Sequence, residues 1–181
     1  MQGLEPLFQE FRIAKIWSHL PKKGVIVDLG CDYEQTLLLR CRGKFQRLIG
    51  VDIVATKPKS REIELVKADL TKKSSVKAGV ADVVTMLAVL EHLKGPEKVV
   101  AEVYRILKPG GVFLATVPSP LSEKVLPTMA KMHLVRQDMI DQHENYFTHE
   151  HLKKILKQAG FKHVTVETWE FGFNTFIKAV K

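Results

Sequence analysis

Apolar positions change their period along the 181 residues, and each change marks an element. Leu4, Leu7, Phe8, Phe11, Ala14 and Trp17 recur at helical spacing, which predicts an amphipathic helix over about residues 4–19. Pro21 and Gly24 end it. Val25 to Leu29 then runs without alternation, as a strand buried on both faces does. Gly30 supplies a sharp turn, and Glu34–Arg42 reads as the first crossover helix. Arg47–Ile53 and Ile63–Ala68 are further strands, joined by a short polar connection around Pro58 with little or no helix expected.

The same reading continues towards the C-terminus. Ala81–Leu87 is a fourth strand, and Pro96 opens a helix through Leu107 that gathers Val99, Val100, Val103 and Ile106 on one face. Lys108–Gly111 is a turn before a fifth strand over Val112–Val117. Residues 118–147 break the rhythm with three prolines and are expected to lie over the site as a substrate lid. Thr148 can cap a helix whose core face is Leu152, Ile155, Leu156 and Ala159, with Gly160 closing it. Phe161–Glu170 and Phe173–Val180 read as an antiparallel hairpin. The expected fold class is α/β: one domain over residues 1–181, with an N-terminal helix in residues 1–20. Its sheet is doubly wound and mostly parallel, and the hairpin is added at the C-terminal end.

Composition narrows the partners. Hydrophobic content of 45% and charged content of 27% suit a globular domain, and no apolar run reaches the roughly 18–20 residues of a membrane span. The N-terminus lacks the basic start and apolar core of a secretory signal, so a cytoplasmic location is expected. Cys31 and Cys41 are too few for a disulfide framework, and no Cys/His spacing points to a metal. The net charge of +8 favours anionic partners and leaves room for an anionic small-molecule acceptor. The lysines are scattered and no arginine-rich block with aromatics occurs, so a solvated surface is the preferred reading and nucleic acid is not favoured. No feature specifies an oligomeric state.

Three acids fall at strand ends: Asp28, Asp52 and Asp69. Asp52 stands 22 residues beyond Gly30, near the roughly 20 at which an acid accepts hydrogen bonds from ribose hydroxyls. Three such acids in register with three strands point to a nucleoside-containing ligand. Gly30-Cys31-Asp32-Tyr33-Glu34-Gln35 does not supply the glycines of a dinucleotide turn, which sets a nicotinamide enzyme aside. A ligand carrying ammonium and sulfonium charges tolerates a more acidic site.

At these residues the chain resembles the class I S-adenosylmethionine-dependent methyltransferases, type-11 subgroup, from about Gly24 to Lys181. The matching pieces are Val25–Cys31, Val51–Ile53, Lys67–Leu70, Asp82–Leu93, Arg105–Gly111 and Leu156–Phe161. The resemblance implies a Rossmann-like fold, S-adenosyl-L-methionine as methyl donor and S-adenosyl-L-homocysteine as product. It implies that Asp28 binds the amino group of the methionine moiety, with Gly30, Cys31 and Asp32 forming the turn beside it. Asp52 would hold the ribose hydroxyls and Ile53 would pack on adenine. Asp69 would meet the adenine amino group between Ala68 and Leu70, and Met86 and Leu87 would line the cofactor near its sulfonium.

The turn departs from the family's G-x-G-x-G, since Asp32 and Glu34 stand at its second and third glycines. Asp is among the better non-glycine residues for a left-handed conformation, so Asp32 can keep the turn's shape. Glu34 suits a helix N-terminus. Either acid would repel the methionine carboxylate if it faced it, by roughly 1–4 kcal/mol at 4 Å. His92, just beyond the fourth strand, is the first candidate general base, with His143 and Tyr146 as further candidates facing the substrate. Leu87-Ala88-Val89-Leu90 is apolar, which argues against a base-amino acceptor. The expected function is methyl transfer to a small or medium-sized acceptor. The alternative is a degenerate methyltransferase fold that binds a partner without catalysis.

Overall fold

The structure is a computed structural model, and it describes residues 4–54, 56–122, 125 and 145–181. Helix α1 (Glu5–Trp17) begins with proline in its first turn and precedes strand β1 (Val25–Leu29). Then follow α2 (Thr36–Arg40), β2 (Arg47–Asp52), β3 (Ile63–Lys67) and β4 (Ala81–Leu87). A 3-10 turn at Leu90–His92 leads to α3 (Pro96–Ile106) and β5 (Leu107–Pro118). Helix α4 (His149–Gln158) and strands β6 (Lys162–Trp169) and β7 (Asn174–Val180) complete the chain. No helix of the described residues is long and apolar enough to cross a membrane.

Among the described residues these strands form one sheet in the order β3-β2-β1-β4-β5-β7-β6. Pairing is parallel from β3 through β5, and β7 joins β5 and β6 antiparallel. The expected α/β architecture with a C-terminal antiparallel hairpin is therefore the one observed. Both sheet faces are covered. Val27 and Leu29 pack with Val99, Val103 and Leu152 on one side, whereas Ile26 packs with Ile13, Ile16 and Leu38 on the other. This two-sided burial is the reason β1 shows no alternation of apolar and polar residues.

Two elements start more than one residue away from where they were expected. Strand β5 starts at Leu107 instead of Val112, because Leu107 pairs with Ala81 and Val112 with Val83. Residues 108–111 are the bulge between those pairs, held by hydrogen bonds from Gly110 N–H to Lys181 O (2.9 Å) and from Lys181 N–H to Gly111 O (3.0 Å). Helix α2 starts at Thr36, two residues later than expected, because Gln35 takes a left-handed φ of 53°. Thr148 caps α4 as expected, its hydroxyl accepting from His151 N–H at 3.2 Å. Most of the expected lid (residues 123, 124 and 126–144, with His143) lies outside the described residues.

Candidate functional site

Strand order reverses between β1 and β4, and a crevice opens there beyond the carboxyl ends of the parallel strands. It is a cleft of about 970 Å³, with α1 and the β6–β7 corner forming its far wall. Asp28, Gly30, Cys31, Asp32, Asp52, Ile53, Ala68, Asp69, Leu70, Leu87 and His92 all line it.

Asp28, the penultimate residue of β1, has 5% of its surface exposed and accepts a 2.6 Å hydrogen bond from Thr85 Oγ1. Burial pushes its carboxyl up to about 7, against the Thr85 hydrogen bond, with Asp52 repelling its charge further. A carboxylate in this condition gains from a cation alongside it. Asp52 ends β2 and receives two backbone donors, Val54 N–H at 3.0 Å and Asp32 N–H at 2.9 Å. Asp69 accepts from the backbone and hydroxyl of Thr71 at 2.9 and 2.6 Å, bonds that hold its carboxyl below the usual range. Ile53, 59% exposed at the cleft, offers a bare apolar surface between these acids.

The turn after β1 keeps its shape without further glycines. Asp32 has a φ of 56°, the left-handed value that its short polar side chain tolerates, and its Oδ1 accepts from Tyr33 N–H at 2.6 Å. Glu34 leans out of the cleft towards Lys59 Nζ at 3.6 Å, while that ammonium also lies 3.8 Å from the centre of the Tyr33 ring. Gln35, fully buried, ties the turn to the loop after β2. Its amide donates to Lys57 O at 2.8 Å and accepts from Lys59 N–H at 2.9 Å. Gly30 donates its N–H to Val51 O at 2.8 Å, so that donor faces β2 and not the cleft. Its lack of a side chain makes room for Val89, whose Cγ2 would lie 2.3 Å from an added Cβ.

Two expected placements, those of Met86 and Tyr146, need correcting. Met86 is fully buried on the opposite face of β4, packed in the cluster of Val84 and Leu90, because alternation along the strand turns it away from the cleft. Tyr146 does not line the cleft; it is half-buried beside Phe147, which is fully buried in the core. Cys31 lines the cleft but is not a nucleophile, since burial and the nearby Asp28 and Asp52 push its thiol far up.

Sequence reasoning missed the far wall. Arg12 from α1, Glu91 from the 3-10 turn, and Glu170 and Asn174 from the β6–β7 corner all line the cleft. Burial lowers the Arg12 guanidinium, opposed by Glu91 and then Glu170. Burial raises the Glu91 carboxyl, opposed by His92 and Arg12. His92 Nε2 stands 4.0 Å from Glu91 Oε1. The available signal was Arg12 itself, the charge that interrupts the row Leu4, Phe8, Ile16 at a spacing of four.

The fold thus sets an acid-lined cleft at the point where strand order reverses in an α/β sheet. Residues 7–166 match the family described as "Methyltransferase domain", and the chain belongs to it. A Mycolicibacterium smegmatis protein named "Probable S-adenosylmethionine-dependent methyltransferase" is 32% identical over 94 residues, which are 52% of this chain and 30% of that protein. The chain thus matches under a third of that relative's length. Among solved structures, an S-adenosylmethionine-dependent methyltransferase from Archaeoglobus fulgidus superposes with TM-score 0.72 at 20% identity, over 96% of this chain and 94% of that one. One from Mesorhizobium loti gives 0.71 at 17% identity, over 93% and 96%. Both likenesses speak for the fold.

Proposed function

We propose that this chain is a single-domain S-adenosylmethionine-dependent methyltransferase. The observation that carries the reading is the row of three acids, Asp28, Asp52 and Asp69, ending neighbouring parallel strands or just beyond them and lining one cleft with exposed Ile53 between them. Bound there, S-adenosylmethionine supplies a methyl group activated on a sulfonium. Asp28, costly to ionise where it stands, would take the donor's ammonium. Asp52 has both oxygens fixed by backbone donors and keeps lone pairs for two ribose hydroxyls. Ile53 and Leu70 would sandwich an aromatic base, with ionised Asp69 accepting from its amino group.

Glu34 does not weigh against this fit, because it pairs with Lys59 away from the cleft. Asp32 remains at the cleft wall, and its backbone N–H is already given to Asp52. The chemistry asked of the protein is chiefly positioning an acceptor in line with the methyl group, with a proton acceptor at hand. His92 and Glu91, both lining the cleft, are the candidates for that role. The test is a screen with methyl-tritiated S-adenosylmethionine against hydroxyl, amine, carboxyl and thiol acceptors. Label transfer to one class is the expected result. Retained S-adenosylhomocysteine binding with no transfer to any class would make the chain a binding module instead.

A further inference from the structure

Two polar atoms in the cleft wall are enclosed and have no hydrogen-bond partner among the described residues: Arg12 Nε and Glu91 Oε2. Glu91 is 1% exposed, so its free oxygen is not satisfied by bulk water. An unpaired buried donor and an unpaired buried acceptor each cost about 1–3 kcal/mol. Glu170, the other acid acting on Arg12, is already engaged by the side-chain amide of Asn174, which leaves Arg12 Nε–H open to a ligand. Around this pair the cleft is apolar, with Leu4, Phe8, Phe11, Phe171 and Phe173. Phe171 is 98% exposed at the rim, in a corner where Glu170 and Phe171 have left-handed φ values of 53° and 54°. Strain of this kind in consecutive non-glycine residues concentrates at functional sites.

We propose that this wall binds the acceptor, and that the acceptor is a neutral hydroxyl on an apolar, ring-like body, held between Arg12 Nε–H and Glu91 Oε2. The inference rests on the methyltransferase reading and names its substrate class. A carboxylate there would face Glu91 and Glu170, and an ammonium would face the guanidinium of Arg12. A carboxylate only accepts and an ammonium only donates, whereas a hydroxyl offers one acceptor and one donor to match the open pair. In the transfer, the hydroxyl oxygen forms the new bond to the methyl carbon as the carbon–sulfur bond breaks, and that electron pair stays on sulfur. The hydroxyl proton passes to the Glu91 carboxylate, so a carboxylate and a sulfonium give a carboxylic acid and a neutral thioether. Burial, by raising Glu91, makes it a better proton acceptor than an exposed carboxylate would be.

The test uses naphthol, naphthoate and naphthylmethylammonium, which share one ring system, titrated into the protein saturated with S-adenosylhomocysteine. Naphthol is expected to bind about tenfold or more tightly than either ion. Arg12→Gln should lose about tenfold in naphthol affinity with S-adenosylhomocysteine affinity unchanged. Glu91→Gln should lower the turnover of naphthol about a hundredfold with little change in KM. Should either variant fail to fold, the three-probe comparison on the unmodified protein decides. Failure to bind S-adenosylhomocysteine overturns the methyltransferase reading itself. Binding of S-adenosylhomocysteine without a preference for naphthol overturns the acceptor assignment alone.

Discussion

In the proposed function, Asp28 is the residue on which binding of the methyl donor turns. Its carboxyl, raised to about 7, is mostly protonated below that pH and costly to ionise above it. The sign follows from proton counting. Between about pH 4 and 7 the folded chain binds more protons at this site than the unfolded one, so stability falls as pH rises across that window. Above pH 7 the penalty is complete. Asp28→Asn should remove that slope in urea unfolding curves and stabilise the free protein at neutral pH. Binding of an ammonium has the opposite sensitivity, because it needs the ionised form. Affinity for S-adenosylhomocysteine should therefore fall as pH drops below 7, with proton release detectable by calorimetry in buffers of different ionisation enthalpy. At Gly30, a φ of 78° and the contact with Val89 forbid a side chain. Gly30→Ala should cost roughly 1–3 kcal/mol in urea unfolding and weaken binding at the turn.

At the scale of elements, the turn after β1 and the loop after β2 behave as one unit through Gln35. Gln35→Ala would strand Lys57 O and Lys59 N–H, a loss of about 1–3 kcal/mol, and should loosen the wall that carries Asp52 and Ile53. Its check is S-adenosylhomocysteine affinity alongside unfolding. The strands were legible because β1 and β4 are buried on both faces and so lack an alternating polar face. The acids at the strand ends were legible for the same reason, since they stand where the apolar stretches stop. Strand β5 was read too short because Leu107 and Gly110 owe their place to pairing with Ala81 and Lys181, distant residues that no local pattern announces. Met86 was misplaced by a motif match that ignored which face of β4 it occupies. Arg12, Glu91 and Glu170 were missed because they come from three distant segments and meet only after folding.

For the whole molecule, the strand order gathers the ends of β1, β2, β3 and β4 at one rim, and α1 and the β6–β7 corner close the cleft from the other side. A ligand bound there touches both ends of the chain, so occupancy should stabilise the fold globally. At a hundred times its Kd, S-adenosylhomocysteine should add about 2.7 kcal/mol, which raises Tm by roughly 5–10 °C in a thermal scan. The direct test of the central claim is calorimetric titration of S-adenosylhomocysteine into the unmodified protein and into Asp52→Ala. One saturable site is predicted in the former, weakened at least about thirtyfold in a folded Asp52→Ala, as befits two lost hydroxyl contacts to a carboxylate. No saturable binding to the unmodified protein up to millimolar ligand, or equal binding to both, would contradict it.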